Sequence, residues 1–463
     1  MSLPGGARRV VVGAWLAIGA GMALQAWLTW FAGPAPRLEA LAAPGPGSNP
    51  HITALAVTLA WIILGTALVL LSSRSITPGR AAAVVGYTAL ALLYVNVMRE
   101  RTYYGDFDNY FSAALSLNTG APLPQRYLYP PLWASILAPV TTLGEEWTLA
   151  FAWLLNIVST LLCFLLLPRV LERYGFSRPL AIAATVAFGV VNVPILRTLA
   201  YAQINMHVLA AILATLHWYP RHRLASAMAL ALAVNLKISP IVLALPFLWA
   251  ADIRWTAMFV ASLIGIGAIP AVAYGLEPYA NLLHNLRNIE QANGLTFRDV
   301  SIDSFVRATG RALDVNLDVL IWPAKLALAA ACLTIAAVHA RLRTFAAART
   351  DGTSVHSAMP AMLILMVMVS PLVWEHHPVF LALSYLAVAT LLRLEDWPLF
   401  GLAYALEFLM PTFDFYPWSY GRLVSPLLLL VLAWKRRAGR SSAFEETNQR
   451  VSTLATPSES RIT

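Results

Sequence analysis

Two carboxylates stand close together in Gly105-Asp106-Phe107-Asp108-Asn109-Tyr110, just after a strongly apolar run. Acidic side chains at the mouth of a membrane helix are costly unless they are solvated or functional. At a helix start, a spacing of two turns Asp106 and Asp108 to different faces, so they are not a glycosidase-like pair of acids. A single carboxylate can act as a general base on a hydroxyl if the fold holds it within hydrogen-bond reach. The competing role for both is structural: first-turn acids cap a helix and complement its dipole.

Lys237 breaks a long apolar stretch from Leu224 to Ala250. A lysine buried that deep in a membrane is expensive, so the stretch reads as a hairpin of two short helices with Lys237 at its outer tip. There it either snorkels or binds an anionic phosphate. His376-His377 follow the turn Ser370-Pro371-x-x-Trp374. Adjacent residues cannot both face one point, so one histidine is expected to face a polar cavity and the other the headgroups. No His-x-x-x-His or carboxylate spacing supports a metal site, and neither a metal nor a cofactor is expected.

The elements that must position these residues belong to a membrane protein. Of 463 residues, 59% are hydrophobic and 12% charged, against roughly 25% charged in soluble domains. The net charge of +9 would suggest nucleic acid in a soluble chain. Here arginines in the loops on one side account for much of it, so the expected partner is the lipid bilayer and not nucleic acid. Apolar runs predict an all-α polytopic fold of about 12–14 spanning helices, with short interfacial helices in the outer loops. Residues 1–434 read as one transmembrane domain. Within it, 1–80 holds two added N-terminal helices, 99–146 a first outer loop and 275–318 a second; 435–463 reads as a disordered cytoplasmic tail. Within the first loop, Asp106 to Leu117 reads as one short helix and Pro130-Pro131 open another. Pro179 to Leu196 reads as a single span.

Short loops bearing arginine fall on one side, together with both chain ends, which makes both termini cytoplasmic. Asp106, Asp108, Gln203, Asn205, Lys237, the second long loop and the His376-His377 pair then all emerge outside, which suggests one outward-facing polar cavity. Arginines on that side, Arg197 and Arg307 among them, oppose the positive-inside bias and are expected to pair with acids or a phosphate.

Five stretches in order resemble glycosyltransferase family 87, which has the C-type membrane fold and includes mycobacterial phosphatidylinositol mannosyltransferases. They are Asp106-x-x-x-Tyr110; Gly120-x-Pro-Leu followed by Tyr129-Pro130-Pro131-Leu132; Gln203-x-Asn205; Leu236-Lys237-x-Ser-Pro240; and Ser370-Pro371-x-x-Trp374-x-His376-His377. The resemblance implies a sugar donor carried on a polyprenyl phosphate and an acceptor hydroxyl on a lipid-linked or envelope glycan. It implies that the enzyme works at the outer face of the cytoplasmic membrane, by inverting displacement. Asp106 matches the family's base. Lys237, His376, His377 and Arg307 are candidates for the donor phosphate, and Asp108, Tyr110, Tyr129, Gln203, Asn205 and Trp374 for the rest of the substrate. Mannose is the leading sugar and arabinofuranose, from a decaprenyl phosphate, the second. The alternative class is a flippase or transporter of a lipid-linked sugar, whose signature is broken helices in both halves of the chain.

Overall fold

The computed structural model describes residues 106–190, 192–289, 299–344, 352–409 and 416–435. The expectations for residues 1–80, for the segment before Asp106, for both termini and for 436–463 lie outside these. Every regular element of the described chain is a helix, and its β-structure is an isolated bridge between Asp299 and Trp374.

Two short helices come first, α1 (Phe107–Thr119) and α2 (Leu132–Thr141). In α1, Phe107, Tyr110, Ala114 and Leu117 recur at helical spacing and are buried. Gly120 ends it at φ 69°, a left-handed conformation that costs glycine little. Asn118 ties the pair together, donating to the Ala138 carbonyl at 2.7 Å and to Thr141 Oγ1 at 2.9 Å.

Next come α3 (Glu145–Glu172), α4 (Arg178–Val190), α5 (Val193–Ala200), α6 (Asn205–Trp218) and α7 (Arg223–Leu236). A 3₁₀ turn, Ser239–Ala244, leads into α8 (Leu245–Trp249). Then follow α9 (Ile253–Tyr274), α10 (Glu277–Arg287), α11 (Ile302–Leu313), α12 (Ile321–Thr344) and α13 (Thr353–Met368). A second 3₁₀ turn, His377–Leu381, opens α14 (Ala382–Ala389); α15 (Trp397–Tyr404) and a helix over 421–435 follow.

Three stretches, Glu145–Glu172, Ile253–Tyr274 and Asp318–Ala340, are long and apolar enough to cross a membrane. Their environments differ. Only Trp255, Phe259 and Pro270 of α9 are buried, so that helix lies at the periphery. By contrast α6 is buried on every side from Asn205 to Leu216, as an interior helix that is apolar all round should be. The fold is that of an all-α polytopic membrane protein.

The expected single span from Pro179 to Leu196 is instead α4 and α5, bent by 64°. Asn192 causes the restart: its side chain accepts the Ile195 amide at 3.0 Å, and Pro194 in the first turn cannot prolong the preceding helix. The sequence shows one broken stretch, at Lys237; the structure adds this second one. At Lys237 the hairpin forms as expected, with the residue extended (φ −152°, ψ 128°) between α7 and the 3₁₀ turn.

Candidate active site

Asp106 begins α1 but does not cap it. Its backbone carbonyl accepts the Asn109 and Tyr110 amides, whereas its side chain makes no capping hydrogen bond. The carboxylate turns away from the helix, and the Gln203 amide donates to Oδ2. Gln203 is fully buried and also accepts the Tyr110 hydroxyl at 2.6 Å. A carboxylate that leaves its own helix start uncapped to meet a side chain 97 residues away is placed by tertiary structure, not by local helix chemistry.

Asn205 opens α6 two residues after Gln203, and its Oδ1 accepts Lys237 Nζ at 3.1 Å. The same ammonium lies 5.7 Å from the centre of the Tyr129 ring and 5.5 Å from that of Phe380. Such faces stabilise a cation that has lost part of its water. The Tyr129 ring in turn packs edge-on to Tyr110 at 5.3 Å. Asp106, Tyr110, Tyr129, Gln203, Asn205 and Lys237 are therefore linked in one continuous set of contacts.

The histidine pair joins from the other side. His376 Nε2 stands 4.0 Å from Asp106 Oδ2, too long for a hydrogen bond, and Thr198 and Asn205 reach its carbonyl at 3.5 and 3.4 Å. His377 turns back, its Nδ1 accepting the Trp374 amide at 3.2 Å. Both imidazoles are buried, with rings at right angles 4.8 Å apart. The expectation that one faces the headgroups is corrected: the turn folds inward, and His377 is spent on holding it.

Charge states follow from these surroundings. Burial raises the Asp106 pKa above its ordinary 3.8; the Gln203 hydrogen bond and the Lys237 charge pull the other way without cancelling it. Lys237 is pushed down to about 7 by burial, with Asp106 opposing. Burial and the nearby Lys237 charge lower His376 to about 3, so it is a neutral imidazole at physiological pH. The site thus pairs a carboxylate made more basic with a cation made less hydrated, and a third of the Asp106 side chain remains exposed.

Two candidates are placed differently. Asp108 is solvent-exposed on the other face of the first turn of α1, as its spacing from Asp106 requires. Arg307 pairs with Asp318 at 3.4 Å on the second loop. Arg197, expected to meet an acid, does so: its Nε lies 2.9 Å from Glu375 Oε1, and the pair is buried next to His376. Asp303 similarly meets Lys325.

Two contributors escape a reading of the sequence. Glu375 sits inside the Trp374–His377 motif and anchors that turn through Arg197. Asp299, 5% exposed, accepts the Val373 amide at 2.9 Å and the Ser301 amide at 3.0 Å, while Val300 donates to the Val373 carbonyl at 2.8 Å. These bonds lace the segment before α11 to the histidine turn. The available signal was Asp-x-Ser directly before a helix, in which Ser301 caps α11 through the Ser304 amide at 3.1 Å.

A family model described as Glycosyltransferase family 87 matches residues 127–371. That range includes Tyr129, Gln203, Asn205 and Lys237; Asp106 and His376 lie outside it and reach the cluster through the fold. No curated protein and no solved structure matches the chain.

Proposed function

Because the chain belongs to glycosyltransferase family 87 and is a membrane-embedded glycosyltransferase, we propose that it transfers a hexose, mannose first among the candidates, from a polyprenyl phosphate to a hydroxyl of a lipid-linked or envelope glycan. In this reading the reaction occurs at the outer face of the cytoplasmic membrane, with both termini inside. The observation that carries it is the turn of Asp106 away from its own helix into a cluster shared with Lys237.

The step balances with the groups present. The acceptor oxygen forms a bond to the anomeric carbon as its proton passes to Asp106. The bond from that carbon to the phosphate oxygen breaks, and polyprenyl phosphate leaves with the electron pair. Attack and departure on opposite faces invert the anomeric configuration. The departing phosphate needs charge stabilisation more than a proton. Lys237 supplies it, its ammonium oriented by Asn205, Tyr129 and Phe380. Neutral His376 adds a ring at the carboxylate's edge and no charge. Gln203 holds Asp106 and Tyr110 in register.

The test offers synthetic polyprenyl-phosphate hexoses to the protein in proteoliposomes and reads the product's anomeric configuration. Inversion relative to the donor is expected. Retention, or transfer only from a nucleotide sugar, would overturn the proposal.

A further inference from the structure

A polar cavity lies at the end of α6 opposite Asn205. It has a volume of about 430 Å³ and is lined by Arg169, Glu172, Arg173, Arg178, His217 and Arg221. These come from the end of α3, the start of α4, the end of α6 and the turn that follows it. From Asn205 to His217 along α6 is about 18 Å at helical rise, so the cavity is separate from the Asp106 cluster.

Its four arginines do two different jobs. Arg173 forms the wall: it donates to the carbonyls of Leu216 at 2.9 Å, His217 at 2.7 Å and Tyr219, closing the C-terminal end of α6. Arg169, Arg178 and Arg221 are exposed, and among the described residues no carboxylate lies within ion-pair distance of them. Three guanidinium groups around an open cavity with a single acid, Glu172, make a receptor for an anionic phosphate, and the planar fork of arginine matches phosphate oxygens.

The surroundings narrow the source of that phosphate. Arg169 shares a face of α3 with Val158, Leu162 and Leu165, which are 45%, 44% and 58% exposed. Leu180, at the start of α4, is 55% exposed. An apolar column thus runs from the cavity along a helix long enough to span the membrane. A soluble phosphate has no use for that column, whereas the acyl chains of a lipid do. The geometry points to a binding site for the phosphate headgroup of an anionic glycerophospholipid, in the leaflet opposite the Asp106 cluster. Basic pockets between spanning helices recognise such headgroups in the same way.

The test is native mass spectrometry of the whole protein with phosphatidylglycerol or phosphatidylcholine, and with inorganic phosphate as competitor. Each charge near a membrane surface contributes about fivefold, so the triple variant Arg169→Gln/Arg178→Gln/Arg221→Gln should bind phosphatidylglycerol on the order of a hundredfold more weakly. Glu172→Gln provides a variant of opposite sign that spares the arginines, and should bind it about fivefold more tightly. Equal retention of the two lipids, or unchanged affinity in both variants, overturns the site. If inorganic phosphate displaces the lipid at equal concentration, the lipid assignment is overturned.

Discussion

Replacing Lys237 with methionine removes the cation and keeps most of the stem. In the proposed reaction the donor phosphodiester carries one negative charge and the departing monoester gains a second as the bond breaks. Lys237 therefore acts on charge that grows toward the transition state, and kcat should suffer more than KM. Two unit charges about 4 Å apart at an effective dielectric constant of about 20 interact by roughly 4 kcal/mol. Lys237 is only half-buried, so about 3 kcal/mol is a better figure, which is a loss of about 10² in kcat. A second readout is independent of rate. The Lys237 charge lowers the pKa of Asp106, so its removal should move the acid limb of the pH–rate profile upward. Single-turnover transfer from a defined polyprenyl-phosphate sugar, measured across pH, gives both numbers. An unchanged kcat with an unmoved acid limb would refute the placement of Lys237 beside the reacting phosphate.

Two further outcomes follow from the same geometry. The wild-type kcat/KM should be bell-shaped: Asp106 must be ionised, so activity falls as pH drops through a value above 3.8, and Lys237 must be charged, so activity falls again above about 7; a profile flat between pH about 4 and 9 would contradict both assignments. Gln203→Leu leaves the buried Tyr110 hydroxyl without its acceptor, at a cost of about 1–3 kcal/mol, and removes the bond that lowers Asp106. The melting temperature should fall and the acid limb should rise; a fall in stability with an unmoved limb would reduce Gln203 to packing.

Much of this arrangement can be read in the chain because membranes restrict it. The two short helices after Asp106 are announced by spacing and by Pro130-Pro131, and they form as Phe107–Thr119 and Leu132–Thr141. The hairpin break at Lys237 follows from the cost of a buried ammonium. The break after Val190 is not legible in the same way, because one polar residue, Asn192, and one proline, Pro194, are too brief to lower the hydropathy of their run. The partner of Arg307, Asp318, is likewise hidden, since an arginine looks the same in the sequence whether it faces a phosphate or an acid. The lacing of Asp299 to Val373 spans 74 residues and depends on backbone amides, which carry no sequence signature. For the histidine pair, periodicity shows that the two rings diverge but not that both turn inward, because Arg197 and Glu375 fix that turn from a distance.

The central claim is that Asp106 is the base, and Asp106→Asn tests it most directly. Asparagine keeps the shape and an oxygen for Gln203 to reach, but cannot take the acceptor proton. With transfer and donor binding measured on the same preparation, transfer should fall by about 10²–10⁴ while the polyprenyl-phosphate donor still binds. Transfer at the wild-type rate, or donor binding lost in step with transfer, would contradict it.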